Sequence, residues 1–368
     1  MELSPTRAEV NVAHLRQNVR MLIAHSGEAE VMGVVKADAY GHGAVRIVEA
    51  LRNEGIHHFA VATVPEAIRI RNAGIDDPIL VFAAPLPEYL PAYVAHRLGV
   101  TVSSIPVAEA VMRVARDVGP LHVHLKVDTG MGRIGCQPDE APALVRQLER
   151  APGVRLAGLW THFANEDGPD AEAQQAQFSA FLSSLGGAPA PVHMHNSGAM
   201  LSGAHANLPL RDSLVRLGLA LYGLTDPGRH PAAEGLRPLL RLISRVTHIK
   251  SVEAGTPISY RSTWCAPNRT RIATIGAGYG DGYPRLLSNR AVVSIGGHRI
   301  PVVGMICMDM MMVDLGPEGC PSISPGDEVV LFGEGGPTTA EVAQWANTIT
   351  YEICCHLTAR VPRIYVET

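Results

Sequence analysis

Aromatic side chains, charge of one sign and long apolar runs are all scarce in this chain, and each scarcity excludes something. Aromatics make up 5% and charged residues 18% of the 368 positions, and the charges nearly cancel to a formal net of −4. No field of one sign is left to attract nucleic acid or an anionic membrane. No apolar stretch approaches the ~20 residues that a membrane-spanning helix requires. The opening Met-Glu-Leu-Ser-Pro-Thr-Arg lacks the basic, apolar and small-residue order of a secretion signal. Cysteine is rare too. Cys136, Cys265, Cys307, Cys320, Cys354 and Cys355 show no metal-type spacing, and two are adjacent, which suits reduced thiols. These absences point to the cytoplasm and a small-molecule substrate, with no nucleic-acid partner, no membrane and no bound metal.

What the chain does have is a hydrophobic content of 46% and a length beyond that of one compact core, so a large domain with a smaller one is expected. Short apolar runs alternate with helical patterns from about residue 30 to 225. The runs centre on Val31–Val35, Phe59–Ala62, Ile79–Phe82, Val100–Val102, Leu121–Val127, Leu156–Thr161, Pro191–Met194 and Ser213–Val215. Between them, Thr63 and Glu66 form a capping-box pattern. Val107, Val111, Val114 and Ala115 share one helical face, as do Ala141, Leu144, Val145 and Leu148. Phe178, Phe181, Leu182 and Leu185 form another face, which stops at Gly186-Gly187. This is an α/β pattern, and a TIM-like (β/α)8 barrel over residues 1–235 accounts for it; an open doubly wound sheet is the alternative. A Pro/Gly-rich stretch, Thr225 to Pro238, breaks the rhythm. Beyond it, Leu239–Ile249, Arg271–Ile275, Ala291–Ile295, Arg299–Val303, Met310–Leu315 and Glu328–Phe332 read as strands, with one helix opened by Thr338 and Glu341. A mostly-β C-terminal domain over residues 236–368 follows.

Several stretches carry chemistry. Val34-Val-Lys36-Ala-Asp-Ala-Tyr40-Gly-His-Gly43 places a lysine where a buried strand surfaces into a βα loop, and such loops collect ligands in parallel α/β folds. Lys126-Val-Asp-Thr-Gly-Met-Gly-Arg133 puts a second lysine at a strand end and an arginine beyond a glycine turn. Two such cations repel unless an anion lies between them: a substrate carboxylate, a phosphate or a modified lysine. His195-Asn-Ser197-Gly and Arg211-Asp-Ser-Leu-Val-Arg216-Leu-Gly218-Leu-Ala-Leu-Tyr222-Gly are strand-to-glycine or strand-to-helix junctions, whose hydroxyls and N–H groups suit a phosphate monoester. His122-Val-His124 and His193-Met-His195 put histidine pairs on one face of a strand. Without acidic or cysteine companions they read as core or hydrogen-bonded histidines. Gly276-Ala-Gly-Tyr-Gly-Asp-Gly282 has the wrong spacing for a dinucleotide loop and no βαβ unit after it.

Taken together these stretches resemble the alanine racemases over nearly the whole length. The resemblance rests on the Lys36–Gly43 motif, Lys126 to Arg133, Thr161-His162-Phe163, Asn196-Ser197, Arg216 with Gly218, Tyr222-Gly223, Ser259-Tyr260, Gly278-Tyr279, Gly304 to Asp309 and Tyr351-Glu352. It implies a pyridoxal 5'-phosphate enzyme of barrel plus β domain. This would be a head-to-tail homodimer with shared active sites, interconverting L- and D-alanine by two bases and supplying D-alanine for peptidoglycan. Lys36 would hold the cofactor as a Schiff base and serve as base on one face. Tyr260, from the partner subunit, would serve the other. Lysine and tyrosine ordinarily titrate near about 10, so both need tuning by their surroundings.

The same resemblance makes Tyr40, His162, Ser197, Arg216, Gly218, Leu219 and Tyr351 cofactor contacts, with Arg216 facing the pyridine nitrogen. It makes Arg133 and Met308 substrate-carboxylate contacts, Lys126 an N-carboxylysine position, Tyr279 an entrance residue and Asp309 a supporting residue. The sequence departs from the family at Arg261 (usually glycine), Met305 (commonly arginine), Leu217 (often proline) and His195 (usually alanine). A broader-specificity or serine racemase is an alternative of the same fold. A pyridoxal-phosphate-binding regulator is another, although those proteins resemble only the first half; a decarboxylase of this fold would carry a His-rich phosphate loop that is not seen.

Overall fold

The computed structural model of the chain describes residues 4–203, 212–225, 228, 230–317 and 322–367. Cys320, Arg211 and part of the Pro/Gly-rich stretch lie outside the described residues. The chain divides into two compact units. One comprises Leu15–Ala39 and Gly43–Arg237; the other comprises Met1–His14, Tyr40–His42 and Pro238–Thr368.

The first unit is the expected parallel barrel. Its strands are Glu30–Val34, His58–Val61, Ile79–Val81, Gly99–Val102, Leu121–Lys126, Val154–Trp160, Val192–His193 and Leu214–Leu217, each beside its predecessor in sequence. Glu30–Val34 pairs on one side with His58–Val61 and on the other with Leu214–Leu217. The ring closes between the last two strands. There the Ser213 N–H donates to Val192 O at 2.8 Å and the Arg216 N–H to His195 O at 3.0 Å. An open doubly wound sheet is thereby excluded.

The helices bury the faces that their spacing predicts. In Ala141–Arg150 these are Ala141, Leu144, Val145 and Leu148. In Ile105–Asp117 the buried residues are Ala108, Ala110, Val111 and Ala115, with Val107 and Val114 at the margin of the face. Gly168–Ser184 buries Phe178, Phe181 and Leu182, leaves Leu185 half-buried just past its end, and stops where Gly186 (φ 77°) and Gly187 (φ 129°) turn the chain. Removing such a face from water is worth roughly 1.5–3 kcal/mol per large apolar side chain, which is what holds each helix on the barrel.

In the second unit Thr270–Ile275, Met311–Gly316, His298–Val303, Val292–Ile295, Glu328–Phe332 and Leu240–Val252 pair in that order. Leu240–Val252 pairs back to Thr270–Ile275 and closes a small β barrel. Two further strands come from the chain ends. Arg7–Asn11 pairs antiparallel with Leu240–Val252 and parallel with Arg363–Val366. Arg7–Asn11 has an alternating burial pattern, intermediate at Arg7, Glu9 and Asn11 and buried at Ala8 and Val10, as a half-buried strand requires. The helix Thr339–Ala346 is capped by the Thr338 hydroxyl, which accepts the Glu341 N–H. A further helix, Thr350–Cys355, carries Tyr351.

Candidate active site

Lys36 follows the first barrel strand and opens a turn with an uncommon backbone. Ala37, Asp38, Ala39 and Tyr40 all have φ between 51° and 54°. A left-handed turn of residues with side chains costs about 1–2 kcal/mol per residue, so neighbours must hold it. Glu66 does this from the first turn of the next helix, Val64–Asn72: its carboxylate accepts the N–H of Ala37 (2.7 Å), Ala62 (2.8 Å) and Thr63 (3.0 Å). Asp38 turns back to accept the Ala44 N–H at 2.8 Å and pairs with Arg69 at 2.8 Å. The Tyr222 hydroxyl donates to Val34 O at 2.9 Å, fixing the strand end from the barrel side.

Lys126 ends the Leu121–Lys126 strand and is fully buried, with no hydrogen-bond partner on Nζ among the described residues. Its amine lies 4.7 Å from the centre of the Trp160 ring. Burial, and then the charge of Arg216, pull its pKa down to about 8. The loop beyond it is closed by Cys136, whose N–H donates back to Lys126 O at 3.0 Å. Inside that loop the Asp128 carboxylate accepts the N–H of Gly130 and of Gly132, both at 3.1 Å. Gly135, at φ 134°, has no room for a Cβ, which would lie 2.6 Å from Asp128 N. The loop presents Arg133 exposed and without a hydrogen bond among the described residues.

Arg216, on the Leu214–Leu217 strand, is buried at the centre of a donor network. Nη1 donates to the carbonyl and to Nδ1 of His193. Nη2 donates to Thr161 O (2.9 Å), Met194 O (2.8 Å) and His162 Nδ1 (3.2 Å). A guanidinium only donates, so both imidazoles accept on Nδ1 and carry their proton on Nε2. His193 passes the pattern to His124, their rings being linked at 3.0 Å, as the sequence predicts of a hydrogen-bonded core histidine. His122, two residues earlier on that strand, is exposed instead. Burial, reinforced by Arg216, lowers the His162 pKa to about 2 and holds that of His193 well below its ordinary value. Burial also brings the Arg216 pKa to about 10, which leaves it charged at neutral pH. The one guanidinium donor without a partner among the described residues is Nε–H. Lys36, Lys126, Arg133 and Arg216 all act electrostatically on His162, so the structure gathers these five predicted residues.

At the neighbouring rim, the Ser197 hydroxyl accepts the N–H of Gly218 (3.0 Å) and Ala220 (3.3 Å). Its own proton is left to donate, and the Leu219 N–H beside it has no hydrogen bond among the described residues.

In the second unit the rings of Tyr40 and Tyr351 meet edge-on, with centroids 6.4 Å apart. Burial, then Cys355 and Tyr351, push the Tyr40 pKa far up, so its hydroxyl remains a donor. Tyr260 sits at the tip of the hairpin formed by Pro257–Ile258 and Trp264–Cys265, 68% exposed. Ser259 (φ 64°), Arg261 (φ 63°) and Ser262 (φ 48°) surround it in glycine-type conformations. Arg261 thus occupies a backbone position that favours glycine, the residue that the resemblance leads one to expect there. The Ser259 hydroxyl donates to Met305 O at 2.6 Å, a contact that needs only a backbone and tolerates methionine there. Met308 and Tyr279 lie on adjoining loops, joined by Gly280 N–H to Met308 O (2.8 Å) and Tyr279 N–H to Cys307 O (3.1 Å). Gly278 is glycine because a Cβ would lie 2.3 Å from Cys307 O, so this Gly-rich run packs against a chain and cradles no phosphate. Arg360 bridges Asp309 (2.9 Å) and Asp281 (3.1 Å) and ties the two loops together.

Some participants carry no sequence signal. Gln174 donates to His162 O at 3.1 Å and accepts the Ala164 N–H at 2.8 Å, fixing the His162 loop from within a helix. Asp212 accepts His195 Nδ1 at 2.8 Å and the N–H groups of Met194 and His195, which accounts for a buried histidine at position 195.

Two protein families match the chain: the N-terminal domain of alanine racemase over residues 10–226 and its C-terminal domain over residues 239–365. The alanine racemase of Chlorobaculum tepidum is 42% identical, covering 98% of this chain and 95% of its own. That of Symbiobacterium thermophilum is 41% identical, covering 99% and 97%. Among solved structures, alanine racemase from Clostridium difficile 630 superposes with a TM-score of 0.92 at 34% identity, covering 100% of this chain and 97% of that one. The alanine racemase of Bacillus anthracis with bound L-Ala-P superposes with 0.91 at 32% identity, covering 100% and 96%.

Proposed function

The chain belongs to the alanine racemase family and interconverts L- and D-alanine, and on that premise we propose which residues carry the reaction. Pyridoxal 5'-phosphate is the cofactor. When bound, it supplies the electron sink that makes the alanine Cα–H acidic enough to remove. Each unit, taken by itself, carries residues of the kinds the cofactor needs. Lys36 offers the amine. Tyr40, Tyr351, the Ser197 hydroxyl and the Leu219 N–H offer donors to a phosphate, with Gly218 beside them holding the Ser197 oxygen. The observation that carries the assignment is the geometry of Arg216, where carbonyls and imidazoles engage Nη1 and Nη2 and leave Nε–H to donate to a pyridine nitrogen. A donor held at this charge cannot readily protonate that nitrogen.

Lys36 Nζ removes or returns the Cα proton on one face, and Tyr260 Oη does so on the other, brought in by the second subunit of a homodimer. Supporting the dimer, Tyr260, Met308 and Tyr279 are exposed by 68%, 52% and 41% in a single chain, more than tightly packed site residues would be. Arg133 and the Met308 backbone hold the alanine carboxylate. Lys126, as a carbamate, holds Arg133. His162, neutral, links Arg216 to the Tyr260 hydroxyl through its Nε2–H. Tyr279 narrows the entrance, and Asp309 is held by Arg360. A cytoplasmic enzyme supplying D-alanine for peptidoglycan fits this assignment. The five described cysteines are free thiols, and no helix among the described residues is long and apolar enough to cross a membrane.

Borohydride reduction of the purified protein, followed by peptide mass analysis, is the test of the cofactor site. Loss of the visible absorbance with a pyridoxyl group on Lys36 is expected. A label on Lys126 or on no lysine would overturn the assignment.

A further inference from the structure

Tyr40, Gly41 and His42 belong to the β-rich unit, although the residues on either side of them belong to the barrel. The terminal strand Arg363–Val366 provides the reason. Arg363 donates from Nε to Gly41 O at 3.0 Å, from Nη1 to Thr358 O at 2.7 Å and Val361 O at 2.6 Å, and from Nη2 to Leu357 O at 2.9 Å. The Tyr365 hydroxyl donates to His42 O at 3.1 Å. On another side Gly41, at φ 83°, lies so close to the end of the Thr350–Cys355 helix that a Cβ would be 2.1 Å from Cys354 O. That helix carries Tyr351, whose ring meets that of Tyr40.

The backbone just beyond Tyr40, at Gly41 and His42, is therefore held by the Arg363–Val366 strand. Left-handed residues do not hold themselves in place, because each gains about 1–2 kcal/mol by relaxing to the right-handed region. The carbonyls of Gly41 and His42 are the handles by which that relaxation is blocked. Arg363 supplies a charged donor to one and Tyr365 a phenol to the other.

We infer that Arg363 and Tyr365 are positioning residues for the cofactor phosphate, acting through the backbone of Tyr40 and its pairing with Tyr351. The inference rests on the reading of Tyr40 and Tyr351 as phosphate ligands. It makes a specific demand: damage at the terminal strand weakens recognition of the phosphate and leaves the amine chemistry of Lys36 intact.

The experiment compares pyridoxal 5'-phosphate with pyridoxal, which lacks the phosphate. Each is titrated into cofactor-stripped full-length protein, and the visible absorbance of the lysine adduct is read. Tyr365→Phe keeps the ring and removes one hydroxyl. It is expected to weaken pyridoxal 5'-phosphate binding by about three- to tenfold, as loss of one hydrogen bond does, with pyridoxal binding within about twofold of wild type. Arg363→Lys retains the charge but cannot reach the same carbonyls, and its loss is expected to exceed about tenfold with the same selectivity. Should Arg363→Lys fail to fold, Tyr365→Phe still decides. Equal weakening toward both ligands, or none toward either, overturns the positioning role. A wild-type protein that forms no adduct with either ligand overturns instead the reading of the site on which the inference rests.

Discussion

Removing carbon dioxide from the enzyme isolates what Lys126 contributes. With its pKa brought to about 8 by burial and by Arg216, about one amine in ten is neutral at pH 7, against about one in three thousand for a lysine titrating at 10.5. Only the neutral amine attacks carbon dioxide. The nitrogen bonds to carbon, one C=O electron pair moves onto oxygen, and the amine proton passes to solvent, leaving a carbamate with one negative charge. Repulsion between Lys126 and Arg133 then becomes attraction. A charge-assisted hydrogen bond is worth about 1.5–3 kcal/mol, so its loss raises the KM for alanine about ten- to a hundredfold while cofactor affinity changes little. The unmodified side chain has a second signature. Its folded pKa lies below its unfolded one, so the unfolded chain binds more protons between about pH 8 and 10.5. The burial penalty is complete below about pH 8 and is relieved as pH rises through that window. Carbon-dioxide-free enzyme should gain stability over this range relative to Lys126→Met. Nuclear magnetic resonance with isotopically labelled bicarbonate should show a carbamate signal in wild type and none in Lys126→Met. No such signal in wild type, together with a KM indifferent to carbon dioxide, would refute the reasoning.

Three further perturbations probe the rest of the site. Glu66→Gln should cost about 1–3 kcal/mol of stability and roughly tenfold in kcat, because an amide nitrogen cannot accept the N–H groups that the carboxylate holds; a wild-type melting temperature would show that the left-handed turn stands without it. Arg216→Lys leaves carbonyls of Thr161, His193 and Met194 short of donors and should lower the denaturant midpoint by the equivalent of about 3 kcal/mol or more; an unchanged midpoint would contradict the donor network. Gly135→Ala brings a Cβ against Asp128 N at a positive φ and should raise the KM for alanine by displacing Arg133, with less effect on kcat; kinetics like wild type would mean that the loop does not set Arg133.

The barrel was legible because its signals are local. Strands such as Ile79–Val81 and Gly99–Val102 are apolar runs between caps and glycines, and they fall within a residue or two of expectation. The helical faces of Ala141–Arg150 and Gly168–Ser184 follow from period alone. What escaped is non-local. Arg7–Asn11 and Arg363–Val366 are short segments that become strands only because Arg7–Asn11 pairs with Leu240–Val252 on one side and with Arg363–Val366 on the other. Ala-Asp-Ala-Tyr shows no glycine to announce a left-handed turn, since Glu66 enforces it from elsewhere and Asp38 from within by accepting the Ala44 N–H. Glu66 itself reads as a helix cap, and its contact with Ala37 spans too much sequence to be inferred. His124, His193 and His195 read correctly as hydrogen-bonded core histidines and the exposed His122 did not, while the orientation of Arg216 by His193 depends on strand neighbours that no spacing reveals.

Exchange of the alanine Cα proton with heavy water, measured on each enantiomer separately, tests the central claim of two bases on opposite faces. Wild type should exchange and interconvert both enantiomers. Tyr260→Phe, which keeps Lys36 and the cofactor contacts, should exchange one enantiomer with retention, barely exchange the other, and interconvert them at least about a hundredfold more slowly. Exchange of both enantiomers at comparable rates, or interconversion near the wild-type rate, would contradict it.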